Sequence, residues 1–237
     1  MTREKIGIVA GSGINLMSLF DSVEREIPFE EISSIPTTHV EGHTGKFIFG
    51  TCDQQSIILQ SGRIHFYEGH SLESVIAPID FMHAQGVKKL LLTNAAGGLQ
   101  DSMKPGDLMA QTEVQLWGFQ RWPDAAPSLS LDFQLAGCDL NGVLTWVHGP
   151  CYETRAEIKA LQSQNSDAVG MSIAPEVARC KELGIQVGGV SCITNNCCTP
   201  HTLTHDEVLQ TAQQSSDKLG RLIRASLESL TTGVEHS

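Results

Sequence analysis

An arginine and a histidine separated by one residue are the most chemically distinctive pair in this chain. Arg63 and His65 lie in the segment GRIHFYEGH, directly after an apolar run. On an extended backbone, residues two apart leave the same side of the chain, so both side chains can address one ligand. A guanidinium fork beside a second donor suits a phosphate group, because together they supply several charge-assisted hydrogen bonds. The alternative is a pair of exposed surface side chains.

Two glycine-containing segments also follow apolar runs and offer small residues and backbone amides. In the first, GSG, the glycines let the backbone approach a ligand, while the Ser12 hydroxyl and free amides can bind phosphate oxygens. It is not a Walker loop, since no GKS or GKT follows. In the second, TNAAGG, Asn94 and Ala95 come at the carboxyl end of a predicted strand, where α/β sheets bind ligands. A tight turn between strand and helix is the alternative explanation for both segments.

A carboxylate and an amide in the second half of the chain can read a planar heterocycle. The segment GPCYETRAE offers Tyr152 for stacking and Glu153 at the start of a predicted helix, and Asn195 ends a predicted strand. A glutamate and an asparagine that converge can recognise a purine carrying N–H donors and a carbonyl acceptor. Taken alone, Glu153 is more typical of a helix N-terminal charge, and Met171 in VGMS is more typical of a core residue.

Short β-rich runs alternate with segments of helical spacing. The predicted strands are Lys5 to Ala10, Lys46 to Phe49, Ser56 to Gln60, Lys89 to Leu92, Asp107 to Gln111, Gly142 to Val147, Ala168 to Gly170 and Gln186 to Ile193. The predicted helices are Leu72 to Gln85, Thr154 to Ser163, Pro175 to Leu183 and Asp206 to Leu230. The alternation predicts an α/β fold with a mixed, largely parallel sheet flanked by helices, in a single domain over residues 1–237.

Composition restricts the class of partner. The formal net charge of −11 argues against nucleic acids and anionic membranes, which require a basic face. The seven cysteines are an odd number without CxxC spacing, so we expect neither a disulfide framework nor a zinc site. Since no secretory signal core or membrane span is evident, we expect a cytoplasmic protein. Cys197 and Cys198, beside Asn195, are either oxidation-sensitive or buried and unreactive.

In their order and spacing, these segments resemble the trimeric purine nucleoside phosphorylase family, which includes the methylthioadenosine phosphorylases. The resemblance extends from Gly7 to the C-terminal helix. It implies a nucleoside phosphorylase-like fold, a homotrimer, and reversible cleavage of a purine nucleoside with inorganic phosphate as co-substrate. It also implies that no metal or organic cofactor takes part.

The resemblance assigns site residues by position. The phosphate-binding positions match Ser12, His43, Arg63, His65, Ala95 and Ser172. The ribose contacts match Tyr67, Met171 and His205, with His201 as an alternative to His205. The purine site combines Glu153, Asn195 and Tyr152 with Phe119, which resembles the aromatic residue that one subunit lends to its neighbour. Asn195, Glu153 and His65 are the expected catalytic residues.

The pair Glu153 and Asn195 also separates subfamilies. Here the chain resembles the 6-oxopurine enzymes, whereas methylthioadenosine phosphorylases carry Ser and Asp at the corresponding positions, so inosine and guanosine are the expected substrates. The alternatives are a methylthioadenosine-type phosphorylase and a noncatalytic nucleoside-binding protein. A serine hydrolase built on Ser12, His65 and Glu68 is disfavoured, because GSG lacks the GxSxG elbow.

Overall fold

The apolar runs of the sequence form the central strands of one sheet. The computed structural model describes residues 4–36, 45–118, 122, 124–199 and 204–232. Its strands are β1 (Lys5–Ala10), β2 (Ser22–Pro28), β3 (Lys46–Cys52), β4 (Gln55–Ser61), β5 (Val87–Gly98), β6 (Leu108–Leu116), β7 (Ser128–Ser130), β8 (Leu140–Trp146), β9 (Ala168–Gly170) and β10 (Gln186–Asn196). Its α-helices are α1 (Leu72–Ala84), α2 (Arg155–Ser163), α3 (Ala174–Leu183) and α4 (His205–Thr232).

Strand β5 organises the sheet because it changes partners along its length. It pairs in parallel with β1 at residues 87–92 and, on its other edge, with β10 at residues 89–98. Past the end of β1, the vacated edge pairs with β9 at Gly97 and Gly98. Since β9 pairs with β8, β8 with β6 and β6 with β10, five strands close into a ring. Strands β1, β4, β3 and β2 extend from β5 as an open wing.

Helices cover both faces of the sheet. Alternate residues of β5 enter different parts of the core: Leu90 packs in the same cluster as Val75 of α1 and Val177 of α3. The neighbouring Leu91 packs instead with Leu219 and other apolar residues of α4. This arrangement is expected for a helix-flanked sheet, because successive side chains of a strand point to opposite faces.

The fold class is confirmed, and so are the eight predicted strands and four predicted helices, with boundary shifts. Strands β5 and β10 run beyond their predicted ends at Leu92 and Ile193, as far as Gly98 and Asn196. The alternative that TNAAGG is a tight turn is therefore wrong. Half of the strand pairings in the described residues are antiparallel, two in the wing, two in the ring and one with β7, so the sheet is mixed but not largely parallel. In the described part of the chain, no helix is long and apolar enough to cross a membrane.

Candidate active site

A cavity of about 350 Å³ lies at the carboxyl ends of β1, β5 and β10, where the pairing of β5 changes. Ligands bind α/β sheets at such a point, because diverging connections leave a crevice there. Ten of the predicted site residues line it: Ser12, His65, Tyr67, Ala95, Tyr152, Glu153, Met171, Ser172, Asn195 and His205. His43, Phe119 and His201 lie outside the described residues.

Arg63 is buried behind the cavity wall, so the surface-pair alternative is wrong. It is 2% exposed and forms an ion pair with Glu176, at 2.6 Å between Nε and Oε1. Its Nη1 group donates to the Thr93 carbonyl at 3.0 Å and to the hydroxyl of Ser172 at 3.4 Å. Its Nη2 group is buried without a hydrogen-bond partner among the described residues, which leaves its two N–H donors for a ligand.

Glu176 is a residue of the site that the sequence analysis missed. Its second oxygen accepts a 2.6 Å hydrogen bond from the backbone N–H of Ile173. Ile173 has a φ of +86°, an unusual conformation for a β-branched residue. Glu176 therefore joins Arg63 to the start of α3, directly after Ser172. A glutamate in the first turn of a predicted helix was visible in the sequence, but its burial was not.

The GSG segment combines a steric requirement with a place in the cavity wall. A Cβ on Gly11 would lie 2.7 Å from the Cα of Asn94 and 2.9 Å from the Thr93 carbonyl oxygen. Gly13 has a φ of +74°, and its Cβ would lie 2.9 Å from the Leu209 carbonyl oxygen. The two glycines hold β1 against β5 and α4, and Ser12 between them reaches the cavity.

Burial keeps His65 and Tyr67 in the wall neutral. His65 stacks on Tyr67 with 4.7 Å between ring centroids. Desolvation lowers the pKa of His65, and it raises the pKa of Tyr67 to about 12. At neutral pH, His65 can therefore donate from one nitrogen and accept at the other, and Tyr67 keeps its hydroxyl proton.

Glu153 is not the N-terminal charge of α2. Thr154 caps that helix, accepting from the Glu157 backbone N–H at 3.3 Å, and the Glu157 carboxylate accepts from the Thr154 N–H at 2.7 Å. The capping role thus belongs to Thr154 and Glu157. Glu153 lines the cavity instead, and desolvation raises the pKa of its carboxyl.

Asn195 lies at an irregularity of β10, where the register shifts between Ile193 and Asn195. Its side-chain oxygen accepts a 3.0 Å hydrogen bond from the Thr194 hydroxyl, and its Nδ2 donates to the sulfur of Cys197 at 3.3 Å. The amide still has an N–H and an oxygen lone pair for a ligand.

Asn94 serves the scaffold behind the wall. Its buried Oδ1 accepts hydrogen bonds from Gln111 Nε2 at 3.0 Å and from the Ser191 hydroxyl at 2.9 Å. These bonds join β5 to β6 and β10, which explains an asparagine at a buried position of the strand. Ala95, the next residue, faces the cavity.

The thiols beside the site are poor nucleophiles. Burial raises the pKa of Cys197 to about 12 and also raises that of Cys198. Because the thiolate is the reactive form, these shifts favour unreactive thiols over oxidation-sensitive ones. All seven cysteines are free.

One group of possible metal ligands occurs within the described ranges, at Asp21, Cys52 and Asp53, away from the cavity. Arg224 Nη1 contacts both carboxylates, at 2.9 Å and 3.0 Å, so the group forms an ion-pair cluster. The cavity itself joins donors suited to an oxyanion with a carboxylate and an amide suited to a purine.

Comparisons with known proteins point to the same chemistry. The model of the phosphorylase superfamily matches residues 5–228. Purine nucleoside phosphorylase 1 of Bacillus subtilis is 37% identical over 247 residues, covering 93% of this chain and 90% of that protein. The rat purine nucleoside phosphorylase is 29% identical, covering 96% and 90%.

Solved structures agree in fold. The Schistosoma mansoni purine nucleoside phosphorylase in complex with inosine has a TM-score of 0.80 and 31% identity, covering 95% of this chain and 90% of that one. The complex of the same enzyme with adenosine has a TM-score of 0.78 and 32% identity, covering 96% and 91%. The chain therefore belongs to the phosphorylase superfamily, among its purine nucleoside phosphorylases.

Proposed function

We propose that this enzyme cleaves 6-oxopurine nucleosides such as inosine and guanosine with inorganic phosphate, reversibly, to the free base and ribose 1-phosphate. The proposal rests on a single cavity that is lined by two sets of residues. Ser12, His65 and Ser172 are suited to bind phosphate, and Glu153 and Asn195 are suited to bind a purine. A binding protein would need only the second group. The presence of both supports a reaction between phosphate and a nucleoside.

The mechanism follows from the charges that develop during cleavage. As the glycosidic bond stretches, the ribose becomes cationic and the base becomes anionic. Groups that complement both charges stabilise the transition state more than the ground state. Phosphate beneath the sugar stabilises the cation and then attacks the anomeric carbon, so no covalent enzyme intermediate is required. We propose no metal or organic cofactor.

Each end of the site has a distinct task. Arg63, whose Nη2 group has no hydrogen-bond partner among the described residues, and the neutral His65 would hold phosphate together with Ser12, Ser172, the Ala95 backbone and His43. Tyr67, Met171 and His205 would contact the ribose. Tyr152 and the neighbouring subunit's Phe119 would contact the base.

Base preference rests on Glu153 and Asn195. A 6-oxopurine carries an N–H on its six-membered ring that can donate a hydrogen bond to an ionised Glu153. Asn195 can donate to the base as negative charge develops on it during departure. Adenosine has no such N–H, so we propose that it is a poor substrate. The adenosine complex of the Schistosoma mansoni enzyme makes adenosine the necessary comparison.

The proposal also covers the oligomeric state of the enzyme, its cellular location and its domain organisation. We propose a homotrimer in which Phe119 completes the neighbouring site. A cytoplasmic location is supported by the seven free thiols, which fit a reducing compartment. A single domain is supported by the ring of strands and its wing, which share β5.

The test is release of hypoxanthine from inosine by the purified protein, with and without inorganic phosphate. Adenosine and methylthioadenosine are assayed in parallel. We expect phosphate-dependent release from inosine, ribose 1-phosphate as co-product, and little action on the other two. Release without phosphate would indicate a hydrolase, and stronger action on methylthioadenosine would indicate the alternative subfamily. Binding of inosine without cleavage would indicate a noncatalytic protein.

A further inference from the structure

Cys197 lies in the cavity wall beside Asn195, and none of the roles assigned above uses it. Its sulfur accepts the hydrogen bond from Asn195 Nδ2 at 3.3 Å. It is partly buried, and nearly all other polar groups of the wall already have a task. The neighbouring Cys198 differs: its sulfur accepts from Gln162 Nε2 at 3.4 Å, and it does not line the cavity.

The local backbone makes room for the Cys197 sulfur. Asn195 pairs with Gly97 of β5, and a Cβ on Gly97 would lie 2.5 Å from the Cys197 sulfur and 3.4 Å from Asn195 Nδ2. The Cys197 backbone N–H also donates to the Gly98 carbonyl at 2.8 Å. The thiol is therefore held between β5 and the Asn195 amide, by backbone on one side and by a hydrogen bond on the other.

Thr194 alone does not fix the amide. Its hydroxyl lies 3.0 Å from Asn195 Oδ1 and 3.3 Å from the Ala96 carbonyl oxygen, but it has only one proton to donate. Cys197 supplies the contact on the nitrogen side. Only with both neighbours in place is the plane of the amide held from both ends.

We infer that Cys197 is a positioning residue for the reaction: its sulfur holds the Asn195 amide in the plane from which the second N–H reaches the departing purine. This inference rests on the proposed function, in which Asn195 stabilises the leaving base. A neutral sulfur is a weak acceptor, so it orients the amide without attracting Nδ2 strongly away from the base.

The first test compares three variants in inosine phosphorolysis. Cys197→Ala removes the acceptor, and we expect kcat to fall about three- to tenfold, the range that one net hydrogen bond provides. The inosine KM should change less than kcat, because the hydrogen bond from Asn195 to the purine strengthens in the transition state. Cys197→Ser retains an acceptor and should keep kcat within about twofold of wild type. Cys198→Ala, the matched neighbour, should leave kcat unchanged.

The second test is a double-mutant cycle, because a merely structural role would not depend on Asn195. In an Asn195→Ala background, whose small residual kcat is measured at raised enzyme concentration, we expect Cys197→Ala to have no further effect on kcat. Thermal melting of each variant checks that it is folded. If Cys197→Ala is unstable, Cys197→Val replaces it, since valine fills the space but offers no acceptor.

The outcomes separate this inference from the proposed function. A wild-type protein that releases no hypoxanthine overturns both. An active wild type overturns the inference alone if Cys197→Ala keeps its kcat, if Cys197→Ser loses as much as Cys197→Ala, or if the loss persists undiminished in the Asn195→Ala background. Loss in Cys197→Ala that is rescued by serine and absent without Asn195 supports it.

Discussion

At the scale of single residues, the phosphate end of the cavity depends on a charged pair that is almost fully buried. Arg63 and Glu176 have side chains only 2% and 4% exposed, and 2.6 Å separates their nearest atoms. Removing one partner of such a pair leaves an uncompensated charge in a poorly hydrated place. An exposed pair carries no such penalty, because water replaces the lost partner.

Glu176→Gln should therefore destabilise the protein far more than a matched change on the surface of the same helix. The amide keeps an oxygen for the Ile173 N–H but loses the charge opposite Arg63, so we expect a loss of about 3–5 kcal/mol. Glu182→Gln breaks an exposed pair with Arg179 and should cost about 0–1 kcal/mol. Urea unfolding measures both values. Equal losses would mean that the buried pair contributes nothing beyond an ordinary surface contact.

Glu153 predicts a pH dependence of stability in the ligand-free protein. Burial raises its folded pKa above the usual 4.5, so its ionised form disfavours folding. Any stability this carboxyl contributes is present below pH 4.5 and is lost as the pH rises through the folded pKa. Glu153→Gln should thus be more stable than wild type at about pH 7, with no such gain at about pH 4, and it should be inactive toward inosine.

Glu157→Gln provides the opposite control for that experiment. The hydrogen bonds to the Thr154 backbone N–H and hydroxyl lower the pKa of the Glu157 carboxyl, so its stabilising effect is present above the usual 4.5 and lost on acidification. The substitution should therefore destabilise the protein at about pH 7. Unfolding curves at the two pH values that shift in the same direction for both variants would contradict the assigned environments.

At the scale of elements, the site depends on how closely β1, β5 and α4 approach one another. The glycines of the GSG segment permit that approach, and Thr93 reinforces it. The Thr93 hydroxyl donates to the Val9 carbonyl at 2.8 Å and accepts from the Gly11 N–H at 3.3 Å. The end of β1 is thus fixed to β5 where Ser12 enters the cavity.

Gly11→Ala should separate these two strands. The closest atoms to its Cβ would be backbone atoms of Thr93 and Asn94, below 3.0 Å, and backbone cannot rotate away. We expect a stability loss of about 1–3 kcal/mol and a weaker affinity for phosphate, which kinetics at varied phosphate measures. Gly118→Ala, whose Cβ would meet nothing within 4 Å among the residues that the structure describes, should change neither quantity. A normal phosphate KM in Gly11→Ala would show that Ser12 tolerates displacement.

The sequence allowed the strands and helices to be predicted wherever one residue period dominated. Strands and strand ends could not be predicted where they depend on pairing with residues distant in the sequence. β2 is largely exposed and polar, and it is a strand because β3 lies beside it. β5 continues through the buried Asn94, whose side-chain oxygen accepts hydrogen bonds from Gln111 and Ser191 on two other strands.

The site residues could likewise be predicted where local sequence carries the signal, and not where a distant partner decides the role. Side-chain type combined with pairing and spacing indicates the chemistry of four of its residues, Arg63 with His65 and Glu153 with Asn195. It is not enough for Glu176, because a glutamate in a helical first turn looks the same in sequence whether it faces water or a buried arginine.

At the scale of the whole molecule, the ring of five strands and the open wing contribute different residues to the cavity. The ring contributes Asn195 from β10 and the segment after β9 with Met171 and Ser172. The wing contributes Ser12 after β1, and Arg63 and His65 after β4. Their junction at β5 brings the two sets together, so the cavity requires the ring and the wing to be joined there.

The proposed trimer adds a requirement that no single chain meets, because Phe119 would serve the neighbouring site. We expect a native mass of about three times 25.7 kDa by light scattering.

Phe119→Ala and Asn195→Ala should each be nearly inactive alone. If equal amounts of the two variants are refolded together into rotationally symmetric trimers, about a quarter of the sites would combine an intact Asn195 with a neighbour's intact Phe119. Refolding the mixture should then restore about that fraction of wild-type kcat, whereas variants refolded separately and then combined should stay inactive. If Phe119 acted within its own chain, co-refolding would restore nothing, since every subunit would carry one defect in its own site.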